Sequence, residues 1–427
     1  LEVVTMKKLL VSLLALSIGF AAFGGGKKEE TPAAKPAPAK AAEVVELRFW
    51  HYHSTVTMDA MNGLVAQYNE KMKGKVFVKV EQLPRNELLK KYTMGLIAKE
   101  LPDIGIVDNP DNQTFSAMGV FADVSAEFKA WKDSQYFMAG PMESGYYKGK
   151  LYGIPYSPNC LGLWYNIDMF EKAGIKEPPK TWADLEAVSA ALLKSAKPGT
   201  YPLAIGAIKD ESGSFQVLPW VRSAGANVDN LDSPEAVKAL TFLTGMVKKG
   251  YMTKEIINLN QNTIEKEFAA GNAAMMINGP WNIPAVKKDA PTMRWDIAPI
   301  PKDKEYASAL GGENIAIMST TKFKKEAWDF VTWFLAKENN ITFVRAASRL
   351  SPRSDISPDE LYPTDKEMKK FVGLMQYTKA RGPSPKWTEI SNVFQIAYQE
   401  CFTETKPVEQ ALKEAAKKIA EINASIK

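Results

Sequence analysis

Alternating extended and helical periodicities between residues 44 and 108 restrict the fold more than any other feature of the chain. Residues 44–50 concentrate β-branched and aromatic side chains, which predicts a strand. Residues 58–72 follow with Met61, Leu64, Val65 and Tyr68 at helical spacing. Val76, Val78 and Val80 then alternate with Lys79 and Glu81, a second strand, before a helix predicted over 86–99 with Leu88, Leu89, Tyr92 and Leu96 on one face. Pro102-Asp103 opens a short apolar strand over 104–107 that ends in Asp108-Asn109. Such alternation implies an α/β sheet with helices on its faces. In open sheets of this kind ligands sit beyond the carboxyl ends of the strands. Trp50-His51 and Asp108-Asn109 occupy two such ends and are expected to face one crevice.

Later segments keep the same grammar. Thr181 and Asp184 are spaced for a capping box. Ser233-Pro234-Glu235 opens a helix that Gly250 closes. Residues 408–426 predict a last amphipathic helix with Val408, Leu412, Ala415, Ile419 and Ile422 on one stripe. No internal repeat of fixed period is present. The 427 residues are enough for two domains with sizeable cores.

Composition excludes several function classes. A net charge of +5 is too weak to specify a nucleic-acid surface. Only two histidines exist, His51 and His53, so chemistry that needs a distant catalytic histidine is ruled out. These two share a face of an extended segment, yet no cluster of Cys, Asp or Glu at ligand spacing completes a metal site. No metal or cofactor is expected, and His51 is read as a polar contact in the crevice. Cys160 and Cys401 form no CxxC pair, and a disulfide between them is left open because it depends on their Cα separation.

The N-terminus carries an address. After Met6 come Lys7-Lys8, an apolar run over 9–23 and the small residues Gly24-Gly25-Gly26, the layout of a secretory signal peptide. Its apolar core is short for a bilayer span, which needs about 20 residues. Residues 1–24 are therefore assigned to the signal region. Residues 25–43, rich in Ala, Pro, Lys and Glu, are assigned to an extended tether. Phe23 occupies the position where a lipoprotein signal needs cysteine, which argues against a lipid anchor.

Three segments carry a family resemblance. The first runs Lys148-Gly149-Lys150-Leu151-Tyr152-Gly153-Ile154-Pro155-Tyr156, continues through Leu163-Trp164-Tyr165-Asn166 and Phe170-Glu171-Lys172-Ala173-Gly174, and closes with Pro178-Pro179-Lys180-Thr181-Trp182. The second is Phe268-Ala269-Ala270-Gly271-Asn272-Ala273-Ala274-Met275-Met276-Ile277-Asn278-Gly279-Pro280-Trp281. The third is Gly311-Gly312-Glu313-Asn314-Ile315-Ala316-Ile317, followed by Leu350-Ser351-Pro352-Arg353. In this order and spacing the chain resembles the extracellular solute-binding proteins of ABC importers, in the carbohydrate-binding group that includes maltose-binding protein. The resemblance implies a two-lobed periplasmic-binding-protein fold with three hinge crossings, near Tyr156, near 301–311 and near 345–349, and a ligand cleft between the lobes. It implies an N-lobe of 44–155 plus 305–345 and a C-lobe of 156–304 plus 346–427.

A sugar offers apolar C–H faces and a rim of hydroxyls, so its site needs aromatic platforms and fixed polar groups. The resemblance places a stacking tryptophan at Trp281, a cleft aromatic at one of Phe215 and Trp220, and a cleft-approaching loop at Trp387. Trp50 is read as either platform or core. For the rim, Asp108, Asn109, Tyr156 and Asn159 are candidates, together with Glu313 beside Gly312, where a missing side chain lets backbone approach a ligand. Asn159 stands where maltose-binding protein uses a carboxylate, which puts maltose itself in doubt. Arg349 and Arg353 could pair with a carboxylate or phosphate, solvated charge being the commoner fate of such residues. The implied function is an exported, monomeric receptor that delivers a mono- or oligosaccharide to an ABC permease. A glycerol 3-phosphate or other anionic ligand is the alternative, marked by an arginine inside the cleft. A secreted carbohydrate-active enzyme is disfavoured, because no GxSxG, HExxH or Walker motif is present.

Overall fold

The computed structural model describes residues 44–382 and 384–426, so the expected signal region and tether, 1–43, lie outside the described residues. The first alternation forms as the periodicity requires. Strands β1 (Val45–His51), β2 (Val76–Gln82) and β3 (Ile104–Asp108) are parallel, with helix α1 (Thr55–Lys71) between the first two and α2 (Arg85–Ala98) between the second and third. In β1, Leu47 and Phe49 are buried while Glu46 and Arg48 are exposed, the in-out period of a strand.

Apart from a two-stranded ribbon of Tyr146–Tyr147 and Lys150–Leu151, the remaining strands are β4 (Ile154–Asn159), β5 (Gly162–Asn166), β6 (Tyr201–Ala204), β7 (Ala273–Asn278), β8 (Trp295–Ala298), β9 (Ser308–Ile317) and β10 (Thr378–Ala380). They sort into two sheets. The first has the order β10-β9-β3-β1-β2, with β4 also paired to β9; the second has the order β8-β5-β7-β6. Strand β9 ties the molecule together. It is buried along its whole length, runs beside β10 at Ser308–Leu310, and pairs antiparallel with β3 from Glu313 to Ile317 and with β4. The chain leaves the first sheet after Asn159, returns by Ser308, and leaves again after β10. Between these crossings, Leu350, Ile356, Leu361 and Tyr362 stay in the cluster that holds Leu47, Phe330 and Phe343.

The second sheet packs on Leu163, Leu203, Trp220, Leu243, Met275, Phe394 and Leu412. Helix α3 (Trp182–Ser195) begins at the capping box, with Asp184 N–H donating to Thr181 Oγ1 at 3.1 Å and Thr181 N–H to Asp184 Oδ2 at 2.9 Å. Helix α4 (Glu211–Ser223) is capped by Asp210, which accepts from the backbone N–H of Ser212 at 2.8 Å. Helix α5 (Pro234–Lys248) starts on Ser233, as expected. Helices α6 (Trp387–Phe402) and α7 (Val408–Ala424) complete this lobe, the latter burying Ala411, Leu412, Ala415 and Ile419. Cys160 and Cys401 are free and buried in different clusters, so the disulfide left open by the sequence is not formed.

Candidate functional site

The carboxyl ends of β1 and β3, the first turns of α2 and α4, and the glycines of β9 converge on a cleft of about 430 Å³. Tyr52, Arg85 and Asp108 reach it from the first sheet. Glu211, Phe215, Gln261 and Trp281 reach it from the second, and Asn159, Gly311, Gly312, Glu313, Arg349 and Arg381 from the crossing segments and their flanks. The glycines leave room for this convergence. A Cβ on Gly311 would stand 2.1 Å from Asn159 Oδ1 and 2.8 Å from Phe215 Cζ. Gly312 has φ +104°, and a Cβ there would meet Ser157 O at 2.2 Å. The rings of Phe215 and Trp281 lie 6.2 Å apart, tilted by 34°, and supply the apolar side of the cleft.

The polar side is a chain of alternating charges. Arg85 bonds Asp111 at 2.5 Å and reaches Asp108 at 3.5 Å. Asp108 in turn accepts from Arg381 at 3.1 Å, and Arg381 donates to Glu211 at 2.6 Å while its guanidinium lies 4.5 Å from the centre of the Phe215 ring. Arg381 also donates to Leu310 O at 3.2 Å, which ties it to the shared strand β9. On the opposite side Arg349 stands 3.9 Å from Glu313, whose Oε2 accepts from Ser157 Oγ at 2.8 Å. Two buried atoms facing this space have no protein partner, Asn159 Oδ1 and Arg349 Nε.

Burial sets the protonation of these groups. It pushes the Glu313 carboxyl up, with Arg349 partly offsetting and Asp108 adding to the rise. Glu211 is likewise pushed up by burial and partly held down by Arg381. Asp111 rises to about 7 for the same reason, against the pull of Arg85. Burial opposes the charge on Arg85, but Asp108 and Asp111 outweigh it and the guanidinium is raised. Among the described residues the cleft is lined by Arg85, Arg349 and Arg381 and by Asp108, Asp210, Glu211 and Glu313. Each arginine already faces a carboxylate of the protein. An anionic ligand would have to displace one, whereas a hydroxyl can donate to a carboxylate and accept from a guanidinium without changing the charge balance.

Of the residues singled out in the sequence, Asp108, Asn159, Phe215, Trp281, Gly312 and Glu313 line the cleft. Asn109 lies just behind it, accepting from Arg381 at 3.4 Å. Trp387 is buried and donates its indole N–H to Glu211 at 3.0 Å, so it steadies a cleft carboxylate without reaching the cleft. The others are core. Trp50 stacks on Tyr92 at 6.2 Å and donates to Glu81 at 3.0 Å. His51 is fully buried, its Nδ1 accepting from the His53 N–H at 3.1 Å, and burial lowers its pKa to about 4. Tyr156 points its hydroxyl at His53 Nε2, 2.5 Å away, and Trp220 packs among Trp182 and Phe242. Helices cover both faces of the sheets, so a strand end or a helix interior in the sequence does not by itself mean the crevice.

Of the two fates open to Arg349 and Arg353, the structure has carboxylate pairing and not solvation. Arg353 is 1% exposed and forms a two-pronged pair with Asp355 at 2.9 Å, and Arg349 lines the cleft. Arg85, Glu211, Arg381, Tyr52 and Gln261 were not foreseen. The only local signal for Glu211 is its place after the helix cap Asp210, just before Phe215. Among the described residues no group of three or more His, Cys, Asp or Glu is placed to hold a metal, and no helix is long and apolar enough to cross a membrane.

Comparisons with known proteins agree with this architecture. The family model of bacterial extracellular solute-binding proteins matches residues 63–370. A putative binding protein of Brucella abortus (strain 2308) is 24% identical over 351 residues, covering 79% of this chain and 84% of the relative. The maltotriose-binding protein of Pyrococcus abyssi is 26% identical over 370 residues, covering 84% of this chain and 77% of the relative. The ABC transporter solute-binding protein of Thermotoga lettingae, solved with α-D-tagatose, superposes with a TM-score of 0.77 at 25% identity, over 88% of this chain and 99% of that one. The sugar-binding protein MalE of Xanthomonas citri superposes at 0.80 and 21% identity, over 89% and 98%. The two-sheet, cleft-centred architecture is thus that of the two-lobed periplasmic binding proteins, and the chain belongs to the bacterial extracellular solute-binding proteins.

Proposed function

We propose that this chain is an exported, monomeric receptor that captures a neutral mono- or oligosaccharide in the cleft and hands it unaltered to an ABC permease. The observation that carries the reading is the pairing, in one cleft, of the Trp281 and Phe215 rings with carboxylates bridged by arginine, Asp108 and Glu211 through Arg381. Sugar C–H faces suit the rings, and hydroxyls suit the fixed acceptors and donors. Relatives named for maltotriose or solved with tagatose support the ligand class. The family and these neighbours are binding proteins, and two lobes closing around a ligand that both contact need no covalent step. The signal segment, residues 1–24, directs export, with Phe23 in place of an anchoring cysteine. Arginines do stand in the cleft, the mark set for an anionic ligand, but Arg85, Arg349 and Arg381 each already face a carboxylate of the protein, which favours the neutral sugar.

A thermal-shift screen over sugars, polyols and glycerol phosphates tests the reading. A cognate sugar raises the melting temperature, as a ligand that binds only the native state must, and is recovered chemically unchanged. Trp281→Ala weakens its binding by about tenfold or more, equivalent to about 1.4 kcal/mol, with the fold intact by circular dichroism. Stabilisation by glycerol phosphates alone, fading with salt, would overturn the choice of ligand.

A further inference from the structure

Of the chain's ten tryptophans, six (50, 164, 182, 220, 295 and 387) are buried. The remaining four are half-exposed: Trp281, in the cleft, and Trp131, Trp328 and Trp333. These last three gather on the first lobe, where Trp131 and Trp333 line a groove of about 500 Å³ that shares no residue with the cleft. Trp131 meets Trp328 edge-on at 6.3 Å, and Tyr136, 37% exposed, lines the same groove. These indoles pack against the core and yet stay partly in water around a concavity of the cleft's size, the amphipathic setting in which an indole can also meet a ligand.

The groove's polar groups are fixed in the same manner as those of the cleft. Arg353, 1% exposed, bonds Asp355 through two contacts of 2.9 Å and Asp133 through one of 3.2 Å, and its guanidinium lies 5.5 Å from the centre of the Tyr136 ring. The buried Arg353 therefore bridges the two carboxylates and fixes their positions, and the oxygen lone pairs it does not engage remain as acceptors in a groove that indoles also line. That combination suits a hydroxyl-rich ring, and the groove's lining, with Asp133, Asp329, Glu338 and Asp355 against Lys132, Lys337 and Arg353, carries one more carboxylate than cation, which disfavours an anion. We propose that this groove is a second carbohydrate site, separate from the transport cleft, with Trp131 and Trp333 as platforms and Asp133 and Asp355 as hydroxyl acceptors. Its concave form favours a small ligand over a flat protein partner.

The test uses the full chain labelled with fluorotryptophan, each fluorine signal assigned by a Trp→Phe variant, and titrated with maltotriose and with mannotriose. In Trp281→Ala, where cleft binding is weakened, the Trp131 and Trp333 signals still shift saturably with one of the sugars. Trp131→Ala, and independently the milder Tyr136→Ser, weaken that response by roughly tenfold and leave the cleft affinity unchanged. Three results overturn the proposal. The groove signals move only when Trp281 is intact, and so report closure of the cleft. The groove signals stay silent while the Trp281 signal responds, or with every signal silent, in which case the cleft reading fails as well. Or the groove variants impair uptake through the importer without changing any sugar-induced shift, which assigns the face to a protein partner.

Discussion

Arg381 offers the sharpest test of how the cleft is held together. Its side chain is 4% exposed and bridges Glu211, at the start of α4, to Asp108, at the end of β3. Replacing it with methionine keeps much of the volume beside Phe215 but leaves Glu211 without its cation and Asp108 with only the 3.5 Å contact to Arg85. Removing one partner of a buried pair costs about 3–5 kcal/mol, because the stranded charge stays desolvated. Exposed pairs are worth about 0–1 kcal/mol, so the two cases are well separated. The pH dependence has a definite sign. Burial already raises Glu211, and Arg381 opposes that rise; without Arg381 the rise is unopposed. A carboxylate whose folded pKa exceeds its unfolded value costs stability above the folded pKa, and the cost vanishes as pH falls through it. The defect of Arg381→Met is therefore larger at neutral pH than in acid. Urea unfolding followed by circular dichroism at about pH 7 and about pH 4.5 reads both terms, the lower value standing close to the ordinary Glu pKa of about 4.3. The double variant with Glu211→Gln recovers about 0.5–3 kcal/mol of coupling. A loss of about 1 kcal/mol or less at neutral pH, or a defect that grows in acid, refutes the reasoning.

Three further outcomes follow from the packing. Trp220→Ala, at a fully buried ring between Trp182 and Phe242, lowers stability by about 3–5 kcal/mol in urea unfolding while sugar affinity of the folded protein is unchanged. Gly312→Ala forces a side chain into φ +104° against Ser157 O and lowers stability by about 1–3 kcal/mol; Gly63→Ala, inside α1 with open space around it, raises it by about 0.5–1 kcal/mol, which calorimetry distinguishes. His51 is kept neutral by burial, its pKa lowered to about 4, so the unfolded chain takes up a proton that the folded one refuses and stability falls as pH drops from about 6.5 towards 4. His51→Gln flattens that acid limb by up to about 1.4 kcal/mol per pH unit, measured as melting temperature against pH.

Local order was written plainly in the chain. The alternation over 44–108 forms as three strands and two helices within a few residues of the expected ends, and the Thr181–Asp184 box caps α3 with both of its bonds. These features depend on neighbours a few positions away, and short-range periodicity and capping geometry are enough to specify them. The cleft was legible where a residue's local setting already suggested access. Asp108 ends a strand, Trp281 follows a Gly-Pro turn, and Glu313 follows two glycines; all three line it.

Trp50 shows where such reasoning stops. It too ends a strand, yet Tyr92 stacks on it and Glu81 takes its N–H, and both partners come from other elements. An indole satisfies a core and a sugar platform equally well, so its own neighbours in sequence do not decide between them. The arginines make the same point with charge. Arg85, Arg349 and Arg381 each resemble surface residues in their own segments. Only the folding of α2, the β9 crossing and the stretch after β10 onto one another brings them beside Asp108, Glu313 and Glu211. The sequence by itself determined the elements, the class of sheet and the family. The tertiary structure alone decided which polar groups share a desolvated space, because a charge pair across the cleft joins residues more than 250 positions apart, as Arg381 and Asp108 are, and no local pattern records a partner that distant.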